Sequence, residues 1–440
     1  MQQSFMMRHR LKLFIACLVV VCALGGLIAT SKLDAIKKDL FESMLAENQG
    51  AGFGRLVSVL SEAGAYVEAQ TEPGSEDRAQ GYRYAMRQMA QWQSLFMTDG
   101  NSRAPSMSRC PSRMCKYGFD NPDTVYLMVH PISPDTRYLL KGRAGTLAYT
   151  TYQVFGIAGA GGFQTGGSLE TADIVMPEGG RFEILISVDN PENHPNHITI
   201  PQGRGGQLVI RQLMRDWNTE TENAYTLEVL PAQSDVPHPP KPLTLDMYDR
   251  RAFGLAQFVA NSVKGYREIL AASPVNELPK GTGGSGVGDG GFPTNYTAQM
   301  RYEIGEDEAL LIEVPKVDVV YSNIQLGSAW GESLVYQART ASFNDFQAHL
   351  DADGVYRYVI AQSDPGVPNW LDATGHPAGG VFHRWQSPEE DLPTPVTRRV
   401  KLSELRAYLP ENHPQFTPAM RVEQLRQRHA GFLRRQNPVY

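Results

Sequence analysis

The feature that most constrains this chain is an uncharged apolar run from Leu13 to Ala29, preceded by Arg8, Arg10 and Lys12. As a helix, a run of that length spans about 26 Å, close to the thickness of a bilayer's hydrocarbon core. Cys17 and Cys22 lie inside it, where they behave as small apolar residues. The flanking basic residues hold the N-terminal end in the cytoplasm and send the body across the membrane. The expected location is therefore single-pass in the inner membrane, anchored through residues 13–29, with the body in the periplasm of a Gram-negative cell. A cleaved signal peptide competes with this reading. Ala29, Thr30 and Ser31 are small, but no clean A-x-A site follows the run. A soluble core helix would show a polar face, and this run shows none.

The length of 440 residues suggests two or three domains, or one large β domain with additions. The 42% hydrophobic content is enough for a core, and 41 glycines with 29 prolines favour a turn-rich β protein. A net charge of −6 without a basic block argues against nucleic acid as a partner. Only Cys110 and Cys115 fall outside the apolar run. In an oxidising compartment they are expected to form a disulfide; two free thiols or half a metal site are the alternatives.

Residues 31–48 read as a charged juxtamembrane helix. Two packed helices are predicted next, over 50–69 with Phe53, Leu56, Val57, Leu60 and Ala63, and over 78–97 with Tyr82, Met86, Met89, Trp92, Leu95 and Phe96 as the core between them. From about Pro122 the pattern turns to strands: 138–140, 147–157, 181–188, 207–213 and 225–230. Turn signals separate them, including Gly159 to Gly167. A proline-rich linker, 236–242, leads to a helix over 244–271 and a glycine loop at 281–291. Further strands are predicted at 297–304, 309–314, 334–339, 355–362 and 380–385, with Asp351 to Gly354 as a hairpin turn. A basic amphipathic helix, with Leu425 and Phe432 on its buried side, occupies 418–435.

The chain thus divides into an anchor (1–30), a helical module (31–118), a β-sandwich with an inserted helix (119–395) and a helical tail (396–440). The expected fold class is mainly β with added helices (α+β). Strands on both sides of one helix suggest a single continuous sandwich. No internal repeat stands out, and the E-N-H-P at 192–195 and 411–414 has unlike flanks.

Familiar catalytic signatures are absent. G-T-G-G-S-G at 281–286 lacks the preceding strand and following helix of a dinucleotide site. His194 and His197 have acidic neighbours, but Pro195 makes the segment a polar turn, so no metal site is expected. The sequence assigns no cofactor. The densest chemistry lies at 364–385, where Asn369, Trp370, Asp372, Thr374, His376, Arg384 and Trp385 share an irregular loop. Such loops serve either function or structure. Asp372 is placed to orient His376 as an acid or base. Asn121-Pro-Asp123-Thr-Val-Tyr126 opens the β region with turn and capping chemistry.

These segments resemble the domain of unknown function (DUF) family 1214 across roughly 120–390. The matching elements are N-P-D-x-x-Y (121–126), R-Y-x-x-x-G-x-x-G-T (137–146), Y-Q-V-F-G (152–156), R-Q-x-x-x-D-W (211–217) and N-W-L-D-x-x-G-H…R-W (369–385). The resemblance implies a jelly-roll-like antiparallel β-sandwich, often found beside a DUF1254-type partner, which the residues before 120 do not match. It brings no assigned reaction.

Two functional expectations follow. The first is a membrane-anchored sandwich that binds a small molecule, glycan, lipid or envelope partner, with Asn121, Asp123, Tyr126, Asn369 and Trp370 as candidate ligand contacts. The second is a hydrolase or lyase acting on a small organic or carbohydrate substrate. Asp372 and His376 would be its acid/base pair and Arg384 its anion contact.

Overall fold

The computed structural model describes residues 50–98, 101–110, 116, 118–158, 162–203, 205–230, 242–283 and 292–436. The apolar run at 13–29, the helix expected at 31–48, Cys115, linker residues 236–241 and glycine-loop residues 284–291 lie outside them. Among the described residues, no helix is long and apolar enough to cross a membrane. The chain divides into two compact units, Met1–Ala51 and Gly52–Tyr440, and every element named below belongs to the second.

Helices α1 (Gly52–Gln70) and α2 (Glu76–Phe96) come first. Ser75 starts α2 by accepting a hydrogen bond from the Arg78 N–H, and Glu76 and Asp77 suit the positive end of the helix dipole. The two helices pack with α3 (Leu245–Ala271) through Val59, Ala63, Ala85, Trp92, Leu95, Leu255, Phe258 and Val259. The stripe read from the sequence is partly misplaced. Phe53, Val57 and Met86 are more than half exposed, whereas Gln88 is fully buried. Burial here follows three neighbouring surfaces, not the single face that a two-helix pair would need.

Nine strands follow: β1 (Ser106–Arg109), β2 (Thr124–Ile132), β3 (Arg137–Arg143), β4 (Tyr149–Ala158), β5 (Gly162–Glu170), β6 (Arg181–Ser187), β7 (His197–Thr199), β8 (Gly206–Leu213) and β9 (Ala224–Leu230). They form two sheets, β1-β2-β8-β4-β5 and β7-β6-β3-β9. The sheets close over a core that includes Val129, Tyr138, Leu140, Val154, Ile184, Ile186 and Ile210. β5 lies where a glycine turn was expected. Gly167 serves close approach there, because a Cβ would stand 2.5 Å from the Thr199 nitrogen.

After α3, nine more strands appear: β10 (Thr282–Gly283), β11 (Asn295–Glu303), β12 (Glu308–Pro315), β13 (Tyr321–Gly327), β14 (Ser342–Asn344), β15 (Val355–Ala361), β16 (Trp370–Asp372), β17 (Ala378–Gln386) and β18 (Val396–Lys401). Their sheets run β10-β11-β17-β13-β14 and β16-β15-β12-β18. Adding nine to each strand number converts the first pair of sheets into the second. Even the parallel pairings correspond, β6 with β7 and β15 with β16. A separate core fills this second sandwich, with Met300, Leu310, Ile312, Ile324, Leu326, Ile360 and Val381.

The single continuous sandwich expected from sequence is therefore two sandwiches of the same topology. The internal repeat escaped notice because it is one of strand order, with few shared residues. E-N-H-P is not part of it: the first copy joins β6 to β7, and the second follows β18. Two further expectations change. Residues 334–339 form no strand, and 396–401, assigned to the tail, pair with β12 as β18.

The last helix, α4 (Pro418–Gln436), buries Phe432 as expected, while Leu425 is only half-buried. Besides Phe432 and Gly431 its buried face is basic: Arg421, Arg428 and Arg435 recur at seven-residue spacing and are all buried. Arg428 and Arg435 lie over the Trp217 ring at 4.6 and 3.9 Å.

Candidate functional site

Strand register makes the two halves comparable residue by residue. Thr124 and Tyr149 both lie opposite Leu213; Asn295 and Tyr321 both lie opposite Gln386. Tyr149 therefore corresponds to Tyr321, Gln153 to Gln325, Arg211 to Arg384 and Asp123 to Thr294. Pairing across β5 and β14 adds Glu170 to Asn344. The like interactions are kept: Arg211 donates to Gln153 at 3.0 Å, and Arg384 to Gln325 at 2.6 Å.

The halves join around Tyr149, Leu213 and Tyr321. On one side the Tyr321 hydroxyl donates to Asp123 at 2.6 Å, and Asp123 also accepts from Trp217 Nε1 at 2.7 Å and Asn344 Nδ2 at 3.0 Å. Burial pushes the Asp123 pKa up against the pull of Tyr321 and the Arg435 and Arg428 guanidiniums. On the other side the Tyr149 hydroxyl donates to Glu170, which also accepts from Thr294 at 2.7 Å. Each side thus holds one buried carboxylate, supplied by non-corresponding positions.

Four of the expected site residues gather here. Asn121 and Asp123 contact Tyr321 directly. The Tyr126 hydroxyl accepts from the Asn121 N–H at 3.2 Å. Arg384 is held by Gln325 and the Phe119 carbonyl. Asp123, Asn344 and Tyr321 are at most 1% exposed, so this cluster is a sealed junction between sandwiches and offers no opening for a ligand.

The loop at 364–385 does not converge with it. Asn369 accepts from the His349 N–H at 2.7 Å and donates to the carbonyls of His349 and Arg357 at 2.8 and 3.1 Å. Asn196, its counterpart before β7, does the same with Val175 and Glu183. Asn369 is thus a clamp repeated in both halves. Trp370 donates to the Ala361 carbonyl and is covered by Arg421.

Asp372 receives Arg339 at 3.2 Å together with the Thr374 N–H and hydroxyl. The nearest carboxylate oxygen paired with His376 is that of Glu76, at 3.9 Å. Burial lowers the His376 pKa. Among the described residues no hydrogen bond joins Asp372 to His376, although the Asp372 charge acts on the imidazole; Arg384 belongs to the junction.

Cys110 is disulfide-bonded; Cys115 lies outside the described residues. His194 and His197 meet the Asn196 backbone and the Ser187 hydroxyl. Among the described residues, no cluster of three or more His, Cys, Asp or Glu side chains is arranged to hold a metal.

A cavity of about 160 Å³ opens at the mouth of the second sandwich. It is lined by Arg215, Val317, Ser322, Asp345, His383 and Trp385, among others. Arg215 bonds Asp345, whose pKa burial raises. His383 is 1% exposed, and burial together with Arg384 lowers its pKa to about 3, so it is neutral. Among the described residues, Arg215 Nε and His383 Nδ1 are buried without a hydrogen-bond partner. Sequence reading passed over Arg215, Asp345 and His383. The usable signal was alternation along β17, which sends His383 and Trp385 to the face opposite Arg384 and Gln386.

No family model matches this chain, and no curated protein matches it. A crystal structure of an uncharacterised protein from Burkholderia cenocepacia is 27% identical, with a TM-score of 0.74, covering 82% of this chain and 99% of that one. A second crystal structure, of a Vibrio parahaemolyticus protein, is 11% identical with a TM-score of 0.43, covering 79% and 100%. The first supports the paired-sandwich fold over its full length.

Proposed function

We propose that this chain is a small-molecule binding protein, anchored by residues 13–29 and presented on the far side of the membrane, with the mouth of the second sandwich as its site. The observation that carries this reading is the cavity itself, where the charged pair Arg215 and Asp345 and the Ser322 side of the wall stand beside Tyr356 and Trp385. Each sandwich is read as jelly-roll-like, because β2, β8 and β4 stand side by side although distant in sequence. The likeness to DUF family 1214 fits this picture. Its motif residues Asp123, Trp217 and Arg384 sit at or beside the junction, Gln153 and Arg211 pair within the first sandwich, and Asn369 is the clamp.

A thermal-shift screen of small polar molecules tests the proposal, using the wild type, Ser322→Phe and His376→Ala. Stabilisation lost in Ser322→Phe and kept in His376→Ala supports it. The reverse pattern overturns it in favour of the loop at 364–385.

A further inference from the structure

The duplication shows what the cavity lacks. The loops joining β3 to β4 and β12 to β13 are equally long, so Gly145 corresponds to Val317 and Thr150 to Ser322. By the β8 and β17 registers, Gln212 corresponds to Trp385. In the first half all three positions are engaged by one residue, Asn223. Its carboxamide oxygen accepts from the Gly145 N–H at 2.8 Å. Its Nδ2 donates to Thr150 Oγ1 at 3.2 Å and to the Tyr225 hydroxyl at 3.1 Å, and its backbone N–H donates to Gln212 at 2.7 Å. The first mouth is filled by a planar amide from its own chain.

In the second half, counting along β18 from its pairing with β12 puts Pro393 in the place of Asn223. Proline offers neither a side-chain amide nor a backbone N–H, and the space beside Val317, Ser322 and Trp385 stays open. The lining has changed as well. Thr171, the counterpart of Asp345, caps the Thr150 N–H; Asp345 caps the Ser322 N–H and adds a carboxylate that draws in Arg215. Ile210 is replaced by His383. Arg215 lines the cavity, and a carboxylate is the acceptor that guanidinium geometry and charge favour most.

We propose that this cavity binds a small organic carboxylate, paired with the Arg215 guanidinium, its apolar part lying against Trp385 and Tyr356. The inference rests on the cavity being the ligand site. The volume suits a ring-sized body, since a cavity of about 150 Å³ accepts benzene.

The test is calorimetric titration of the full chain with benzoate, benzamide and benzyl alcohol, on wild type and Arg215→Gln, with 4-bromobenzoate soaked into crystals of the wild type. Benzoate binding at least ten-fold tighter than benzamide, a ten-fold or greater loss in Arg215→Gln, and bromine density in the cavity are expected. Equal affinity for benzoate and benzamide, or benzoate binding unchanged by Arg215→Gln, overturns the carboxylate assignment while leaving the cavity as a binding site. Bromine density only outside the cavity, or no binding by any probe, overturns the inference and the site together. The soak decides the matter without a variant if Arg215→Gln fails to fold.

Discussion

Asn369 shows how a single side chain can look functional and be structural. It spends its oxygen and its amide hydrogens on three backbone groups of the chain that passes beside it. Asn369→Ala should therefore cost about 1–3 kcal/mol of stability, the penalty for stranding buried backbone groups, measured by urea unfolding. Ligand-induced thermal shifts should survive it. His383 makes the opposite case, a residue unnoticed in sequence whose chemistry is unusual. Its folded pKa, about 3, lies below the ordinary histidine value of 6.5. Between those values the unfolded chain binds a proton that the folded chain refuses. Stability contributed by His383 is present above pH 6.5 and is lost as pH falls toward 3, by about 1.4 kcal/mol per pH unit for one proton. His383→Gln should flatten the acid limb of a plot of unfolding midpoint against pH; an unchanged limb would show that other groups govern it.

Among the elements, helix α2 meets Trp330 through Gly81. A Cβ there would stand 2.5 Å from the indole and 2.7 Å from Val67. Gly81→Ala should lower stability by about 1–3 kcal/mol through overpacking, read by denaturant titration. Existence and type of element were largely legible: α3 begins at its Thr244 cap, and the Asp351–Gly354 turn leads into β15. What was not legible were elements whose residues obey a partner and not a period. β13 is buried on both faces and shows no alternation, because Tyr321, Asn323 and Gln325 face the other half while Ile324 and Leu326 face its own core. The buried face of α4 is written in arginine, which sequence patterning assigns to solvent. The candidate site fared likewise, since cavity residues come from the β12–β13 connection, β15, β17 and the segments after β8 and β14, and only tertiary folding brings them together.

At the scale of the molecule, two sandwiches, each of nine strands among the described residues, make one compact unit through a polar junction and shared helices. Fragments 50–235 and 236–440 should therefore co-purify when co-expressed, and the first should expose hydrophobic surface when made alone, because α1 and α2 lose α3. Independent elution of the two fragments would count against that interdependence. The placing of the carboxylates at the junction has a consequence for assembly. Two first halves meeting in the same way would set Asp123 against Glu170 around each tyrosine, a crowding of buried negative charge, and two second halves would leave each tyrosine with Thr294 and Asn344 and no carboxylate at all. Only unlike halves satisfy both tyrosines, so the molecule recognises its own other half and rejects a copy of the same one.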